Sequence, residues 1–400
     1  MINLEAPKKA GALINQAYQA AAEVFRPISR KYDRAEHTYP AELDMFAALL
    51  DGLNSSGEGG AGAAGVRRSG PDKEKGNRNG ANLNVVLGTI EMCWGDVGLL
   101  LSMPRQGLGN AAIGSVATDE QLERFSGMWA AMAITEAGFG SDSAAVSTTA
   151  RLDGDHYVLN GEKIFVTSGE RADAVVVWAT LDKSKGRAAI KSFVVEKGTP
   201  GFEVVRVEHK LGIRASDTAV LRFENCRVPA ENLLGTPEID TAKGFAGVMQ
   251  TFDNTRPLVA AMAIGVARAA LEETRRILSE AGVSIDYDRP ANAQHAAAAE
   301  FLRLEADYES AYLLTLESAW MADNRKPNSL QASMAKAKAG RSVVEIALKC
   351  VELTGAYGEE SLLEKWARDA KILDIFEGTQ QIQQLIVARR VLGKTSAQLK

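Results

Sequence analysis

The period of the hydrophobic pattern changes twice along these 400 residues, and each period forces a different secondary structure on the chain. INQAYQAAAEVFRPISRKYDR and AELDMFAALLDGL carry apolar residues at helical spacing, so residues 1 to about 130 are predicted to be mainly helical. From about 131 to 242 the period drops to two. RLDGDHYVLNGEKIFVTSG, ADAVVVWAT, KSFVVEK, FEVVRVEH and TAVLRFENCRVP read as a series of short strands. Asp153-Gly154 and Asn160-Gly161 are turn dipeptides between β-formers, which predicts two tight hairpins. From about 243 onward the chain is alanine-rich and helical again. PLVAAMAIGVARAALEETRRILSE, NAQHAAAAEFLRLEADYESAYLLTLESAWMAD, SLQASMAKAKAGRSVVEIALKCVELTG and a run after Thr379 would make long helices with short connections, hence a bundle.

The predicted architecture is α+β: an N-terminal helical domain (1–130), a middle antiparallel β domain (131–242) and a C-terminal four-helix bundle (243–400). The stretch at 55–82, SSGEGGAGAAGVRRSGPDKEKGNRNGAN, nucleates neither helix nor strand cheaply and reads as a long mobile loop.

An apolar fraction of 46% and a charged fraction of 24% are those of a soluble globular protein. A net charge of −5 disfavours a nucleic-acid partner. Cys93, Cys226 and Cys350 are too far apart for a disulfide framework or a metal spacing, and His37, His156, His209 and His295 are scattered, so no metal site is expected. MINLEAPKKAG lacks the apolar core of a signal peptide. The longest apolar run, Pro257–Val266, is shorter than the roughly 18 residues that span a bilayer. A cytoplasmic protein without a membrane span is expected.

Two glycine patterns, GEGGAG (57–62) and GLGNAA (107–112), match dinucleotide fingerprints but lack the strand before, the helix after and the βαβ unit. A Rossmann dehydrogenase is rejected. AITEAGFGSD (133–142) offers Thr135, Ser141 and backbone N–H donors to a polar, partly anionic ligand, or is a plain β-turn. IFVTSG (164–169) is a second candidate segment, or a strand end. In KILDIFEGTQQIQ (371–383) an apolar run stops at Glu377-Gly378-Thr379. A carboxylate set between phenylalanine and glycine, with few charges nearby, either favours the next helix N-terminus or serves chemistry.

The order ITEAGFGSD, GEKIFVTSGE, FDNTRPLVAAMAIG and RDAKILDIFEGTQQIQQLIVARR resembles the acyl-CoA dehydrogenase family over nearly the whole chain. That family has the three-region architecture read above, with FAD between the β domain and the bundle. The resemblance implies α,β-dehydrogenation of an acyl-CoA thioester to trans-2-enoyl-CoA, by proton abstraction at Cα and hydride transfer from Cβ to flavin N5. Glu377 matches the catalytic base, and an apolar setting would raise its pKa from roughly 4.3 toward the working pH. Its backbone N–H matches the group that, with a flavin hydroxyl, holds the thioester oxygen.

By the same resemblance Ile134, Thr135 and Ser141 match the flavin-contacting turn, with Ser141 also near substrate. Phe165, Val166 and Thr167 match the flavin-stacking segment, Phe165 standing where tryptophan is frequent. Asp253 and Arg256 match residues at the CoA portion. Gly378, Thr379 and Gln381 match the stretch running past substrate and flavin, and Gln294 and Gly355 match cofactor positions.

One element departs from the pattern. The family's Arg-x-x-Phe-Gly before the glutamine, whose arginine holds a neighbouring subunit's FAD pyrophosphate, is missing; Val283 or Ala281 occupies that place, and only Arg289 is nearby. Gln-x-x-Gly-Gly is altered to Glu352-Leu353-Thr354-Gly355-Ala356. Electron-transfer flavoprotein is the implied acceptor, and the assembly a homo-oligomer or a hetero-oligomer with a paralogue. An acyl-CoA oxidase and an FAD-poor structural subunit are the alternatives.

Overall fold

The computed structural model describes residues 4, 10–55, 80–105, 108–239, 246–358, 360–395 and 398, with backbone alone over 49–55 and 246–254. The loop expected at 55–82 and its GEGGAG stretch lie almost wholly outside the described residues.

The N-terminal part is helical: α1 (Ala10–Ala20), α2 (Arg26–Arg34), α3 (Glu42–Ser55), α4 (Ala81–Gly95), α5 (Val97–Leu101), α6 (Leu108–Val116) and α7 (Asp119–Arg124). A π-helical turn, Ala21–Phe25, joins α1 to α2. From Leu108 on, the GLGNAA stretch lies in α6, and among the described residues the element before it is α5, not a strand.

Seven strands follow: β1 (Ala130–Ala133), β2 (Thr149–Asp153), β3 (His156–Thr167), β4 (Ala174–Thr180), β5 (Ile190–Glu196), β6 (Phe202–Val207) and β7 (Thr218–Pro229). They form one sheet in the order β1-β4-β2-β3-β7-β6, with β5 also on β4. The sheet is not wholly antiparallel as expected, because β4 runs parallel to both β1 and β2.

Asp153-Gly154 does make the β2–β3 hairpin, Asp153 pairing with His156. The second expected hairpin is wrong. Asn160-Gly161 lies inside continuous β3, at a register shift between Leu159 and Gly161. Gly161 has φ 154°, and a Cβ there would run into Thr148. The glycine serves a close approach rather than a turn.

The C-terminal helices are α8 (Ala246–Glu280), α9 (Ala296–Asp323), α10 (Ser329–Thr354), α11 (Leu363–Leu373) and α12 (Gln380–Leu392). The fourth expected helix, the run after Thr379, is α12; α11 is an additional helix before it, and Glu377 lies in the link between the two. α8 also begins earlier than its apolar run, carrying Pro257 inside it.

The two helical regions share one core although the sheet separates them in sequence. Phe25, Leu83, Ile90 and Leu99 pack in one cluster with Ile264, Phe301, Val343 and Trp366. The sheet has its own core around Leu159, Val177, Phe193 and Leu221.

Where the three regions meet, Lys365 of α11 is buried between Asp96 and Asp369, its Nζ 2.6 Å from a carboxylate oxygen of each. Asp96 also accepts from the Ser29 hydroxyl on α2 and from Leu99 N, the latter at 2.9 Å, capping α5. Asp369 accepts from Ile213 N at 2.6 Å, in the loop between β6 and β7. Burial opposes the charge on Lys365, but the two carboxylates outweigh it and hold the ammonium protonated.

Lys365→Met leaves two buried carboxylates facing each other. It is expected to cost on the order of 3–5 kcal/mol, seen as a lower denaturation midpoint. Changing Asp96 and Asp369 to asparagine in the same chain should recover part of the loss.

Candidate active site

Residues 374–379 form the link between α11 and α12. The α11 end is held by Ile375 N and Phe376 N donating to Ile372 O at 2.9 and 3.0 Å. Thr379 starts α12 as its N-cap, accepting from Ile382 N at 3.4 Å. Between them Glu377 has φ 57° and Gly378 has φ 93°. A left-handed glutamate costs roughly 1–2 kcal/mol and persists only where its surroundings over-determine it.

Those surroundings come from three helices. Thr255 of α8 donates its hydroxyl to Glu377 Oε2 at 3.0 Å. Lys336 of α10 donates to Gly378 O at 2.8 Å. Gln383 of α12 donates to Glu377 O at 3.0 Å and Gly378 O at 3.3 Å. One turn along α10, a Cβ on Gly340 would stand 2.8 Å from Leu373 O, so the small residue lets the α11 end lie directly on α10.

Burial raises the Glu377 carboxyl above its ordinary value, against the opposing pull of Thr255, Arg256 and Lys336. Arg256 itself is buried. The expected sequence setting for a raised acid is thus present, but the Thr255 hydroxyl and two cations temper it. The side chain of Asp253 lies outside the described residues.

A second cluster forms around β3. Lys163 is fully buried and donates to Ile134 O at 3.2 Å and Glu136 Oε1 at 2.8 Å. Glu136 also accepts from the backbone and hydroxyl groups of Ser147 and Thr148. Ile164 N donates to Thr135 O at 2.9 Å. The segment carrying Ile134 and Thr135 is therefore clamped to the one carrying Phe165, Val166 and Thr167.

Between Lys163 and Val166 the β3–β7 register shifts, and Phe165 sits there at φ 57° with 62% of its surface exposed. A large aromatic turned outward on a strained bulge, with half-buried Thr135 and Thr167 beside it, suits a flat aromatic ligand laid against the strand. Ser141 is exposed, and Val166 is buried in the sheet core.

The remaining expected positions differ in kind. Gln294 spends its side chain on its own loop, bonding Asp286 N, Asp286 O and Arg289 O. Gly355 is the left-handed C-cap of α10, at φ 64°. Gln381 is exposed on α12.

Thr255, Lys336, Gln383, Lys163 and Glu136 were not picked out from sequence. Two of them left a trace: Lys336 shares the stripe of Ala332, Ala335, Ala339 and Val343, and Lys163 has the inward parity of Leu159 on β3. A lysine at an apolar position of a regular pattern is the readable signal.

The histidines are less scattered than their spacing suggests. His37 and His209 lie with ring centroids 4.7 Å apart, and both neighbour Glu36. One ring nitrogen of each has a partner: Glu36 bonds His209 Nδ1 as well as Lys210 N, and His37 Nε2 bonds Glu208 O.

Family models for the acyl-CoA dehydrogenase middle domain and C-terminal domain match residues 131–226 and 242–392. A short-chain-specific acyl-CoA dehydrogenase of Clostridium acetobutylicum is 35% identical over 329 residues, covering 80% of this chain and 85% of its own length. An acryloyl-CoA reductase (NADH) of Anaerotignum propionicum is 34% identical over 394 residues, 94% of this chain and 93% of its own. The structure of butyryl-CoA dehydrogenase from Megasphaera elsdenii superposes with a TM-score of 0.82 at 28% identity, over 98% of this chain and 100% of that one. The chain belongs to the acyl-CoA dehydrogenase family. It is an FAD-dependent oxidoreductase of acyl-CoA thioesters, in fatty-acid metabolism. The aromatic bulge at Phe165 and the polar edge at Thr135 and Thr167 fit the flavin of such an enzyme.

Burial would raise the Glu136 carboxyl, but bonds from Lys163, Ser147 and Thr148 bring it down to about 2 from 4.5. A carboxyl depressed in the folded state stabilises above its unfolded pKa and loses that stabilisation as pH falls toward the folded one. Stability is therefore expected to drop as pH falls from about 4.5 to about 2. In Glu136→Gln the acid-unfolding curve should be less steep across that window, with lower stability at neutral pH.

Proposed function

We propose that Glu377 is the base that takes the proton from Cα of the acyl-CoA thioester. FAD, when bound, supplies the acceptor for the hydride that leaves Cβ. One observation carries the assignment: a carboxylate raised by burial, held on a left-handed turn by side chains of three helices.

Each neighbour has a task that follows from its chemistry. Thr255 orients the carboxylate through its hydroxyl and favours the ionised form until the proton arrives. The backbone N–H of Glu377 is assigned to the thioester carbonyl, where it stabilises negative charge developing on oxygen as Cα loses its proton. Gly378 and Thr379 continue the wall beside the reacting carbons.

Asp253 and Arg256 are assigned to the CoA portion; the burial of Arg256 beside Glu377 also places its cation in the field of the base. Ile134, Thr135, Ser141, Phe165, Val166, Thr167 and Gln381 are assigned to the flavin. The three regions are proposed to divide at about 130 and 242, and the protein to work in the cytoplasm, passing electrons to electron-transfer flavoprotein. Among the described residues no helix is long and apolar enough to cross a membrane.

The subunit arrangement is proposed to be one in which a related chain supplies what this one lacks for a neighbour's flavin. Gln294 turning into its own loop and Glu352 pairing with Lys349 at 2.7 Å both support that reading. Flavin content should then be substoichiometric in the chain purified alone and rise on co-expression with a paralogue. Full occupancy in the homomer would refute it.

Glu377→Gln keeps the size and polarity of the side chain and removes the base. Flavin content should be unchanged while anaerobic bleaching by an acyl-CoA substrate slows by at least about 10²–10⁴-fold. Bleaching at the parental rate would move the base elsewhere.

A further inference from the structure

Lys336 has no exposed surface and stands on α10 among buried Ala332, Ala335 and Ala339. Taking an ammonium out of water costs several kcal/mol unless partners compensate. Its hydrogen bond at 2.8 Å goes to Gly378 O, the carbonyl immediately after the base. That carbonyl also accepts from Gln383, and Gln383 bonds the Glu377 carbonyl as well. The carbonyls of Glu377 and Gly378 are thus held by side chains of α10 and α12.

The charged groups facing Lys336 are Asp374 at the end of α11, Glu377 itself, and Arg256 on α8. Burial lowers Lys336 to about 8, so it is still protonated at neutral pH. Around Glu377, burial raises the carboxyl, whereas Thr255, Arg256 and Lys336 lower it.

We propose that Lys336 is a positioning residue for the dehydrogenation: its ammonium clamps the left-handed turn that aims Glu377 and sets a fixed positive charge beside it. The proposal rests on Glu377 being the base. No contact between Lys336 and substrate is required, since it acts through the Gly378 carbonyl and through its field. A lysine of purely structural use would fix the turn without influencing when the carboxylate titrates.

The test compares holoenzymes carrying Lys336→Met or Lys336→Gln with the parent. Both variants are expected to lose about ten- to a hundredfold in kcat with KM changed little, and to move the acid limb of kcat/KM upward by about half to one pH unit. A carboxyl-carbon NMR titration, with the Glu377 signal assigned by its loss in Glu377→Gln, should show the same upward move without relying on turnover. If Lys336→Met does not fold, Lys336→Gln, which keeps a polar donor but no charge, carries the comparison.

A kinetic limb and an NMR midpoint both at their parental positions, with only thermal stability lowered, would overturn the proposal. The base assignment fails separately, if Glu377→Gln bleaches at the parental rate. An inactive Glu377→Gln together with unmoved Lys336 variants would refute the role of Lys336 alone.

Discussion

The ammonium of Lys365 between Asp96 and Asp369 is the interaction on which the arrangement of the protein depends. Its partners belong to α5 and α11, and through Ser29 and Ile213 the network reaches α2 and the β6–β7 loop. Arg368, on the next residues of α11, adds bonds to Asp33 on α2 and to Leu211 O. Three sequence regions are thereby tied to one short helix. That helix ends four residues before Glu377, so the position of the proposed base is set by a buried ion network as well as by the loop that carries it. A buried ion triad is a weak source of stability compared with apolar packing, but breaking it is costly, which suits a contact that specifies one arrangement.

The turn that carries Glu377 is the place where local preference and tertiary demand conflict. A glutamate resists φ near 57°, although Gly378 and the N-cap Thr379 after it favour a break in the helix. The chain breaks there because Thr379 caps α12 and because Gln383 and Lys336 take the carbonyls the break exposes. The same device appears in the sheet, where Phe165 is held at φ 57° on a bulge between Lys163 and Val166. In both places the strained residue is the one assigned to chemistry in the proposed function, and a buried lysine helps fix the surroundings, Lys336 through Gly378 O and Lys163 through Ile134 O on the segment paired with Ile164. At both positions the strained backbone is fixed by contacts from other elements.

Much was legible before any coordinates. The changes of period located helices, strands and helices again, while the motif order put forward Glu377, Arg256, Thr135 and Phe165 as the proposed site residues. Asn160-Gly161 misled because a dipeptide that favours a turn also relieves a steric approach, and only Thr148 across the sheet decides which. The parallel pairing of β4 with β1 and β2 was not readable, since alternation reports which face is buried and not which strand lies alongside. The local use of Gln294 was not readable either: its residue type permits a ligand contact, and in the fold its amide bonds Asp286 and Arg289 of its own loop.

By itself the sequence determined where each kind of secondary structure forms and which carboxylate stands apart from other charges, because periodicity and nearest-neighbour chemistry are local properties of the chain. The tertiary structure alone decided that the helices before and after the sheet share one core, and that Thr255, Lys336 and Gln383 converge on Glu377. Those partners come from three helices, two of them distant in the chain, and only packing brings such groups within hydrogen-bonding reach.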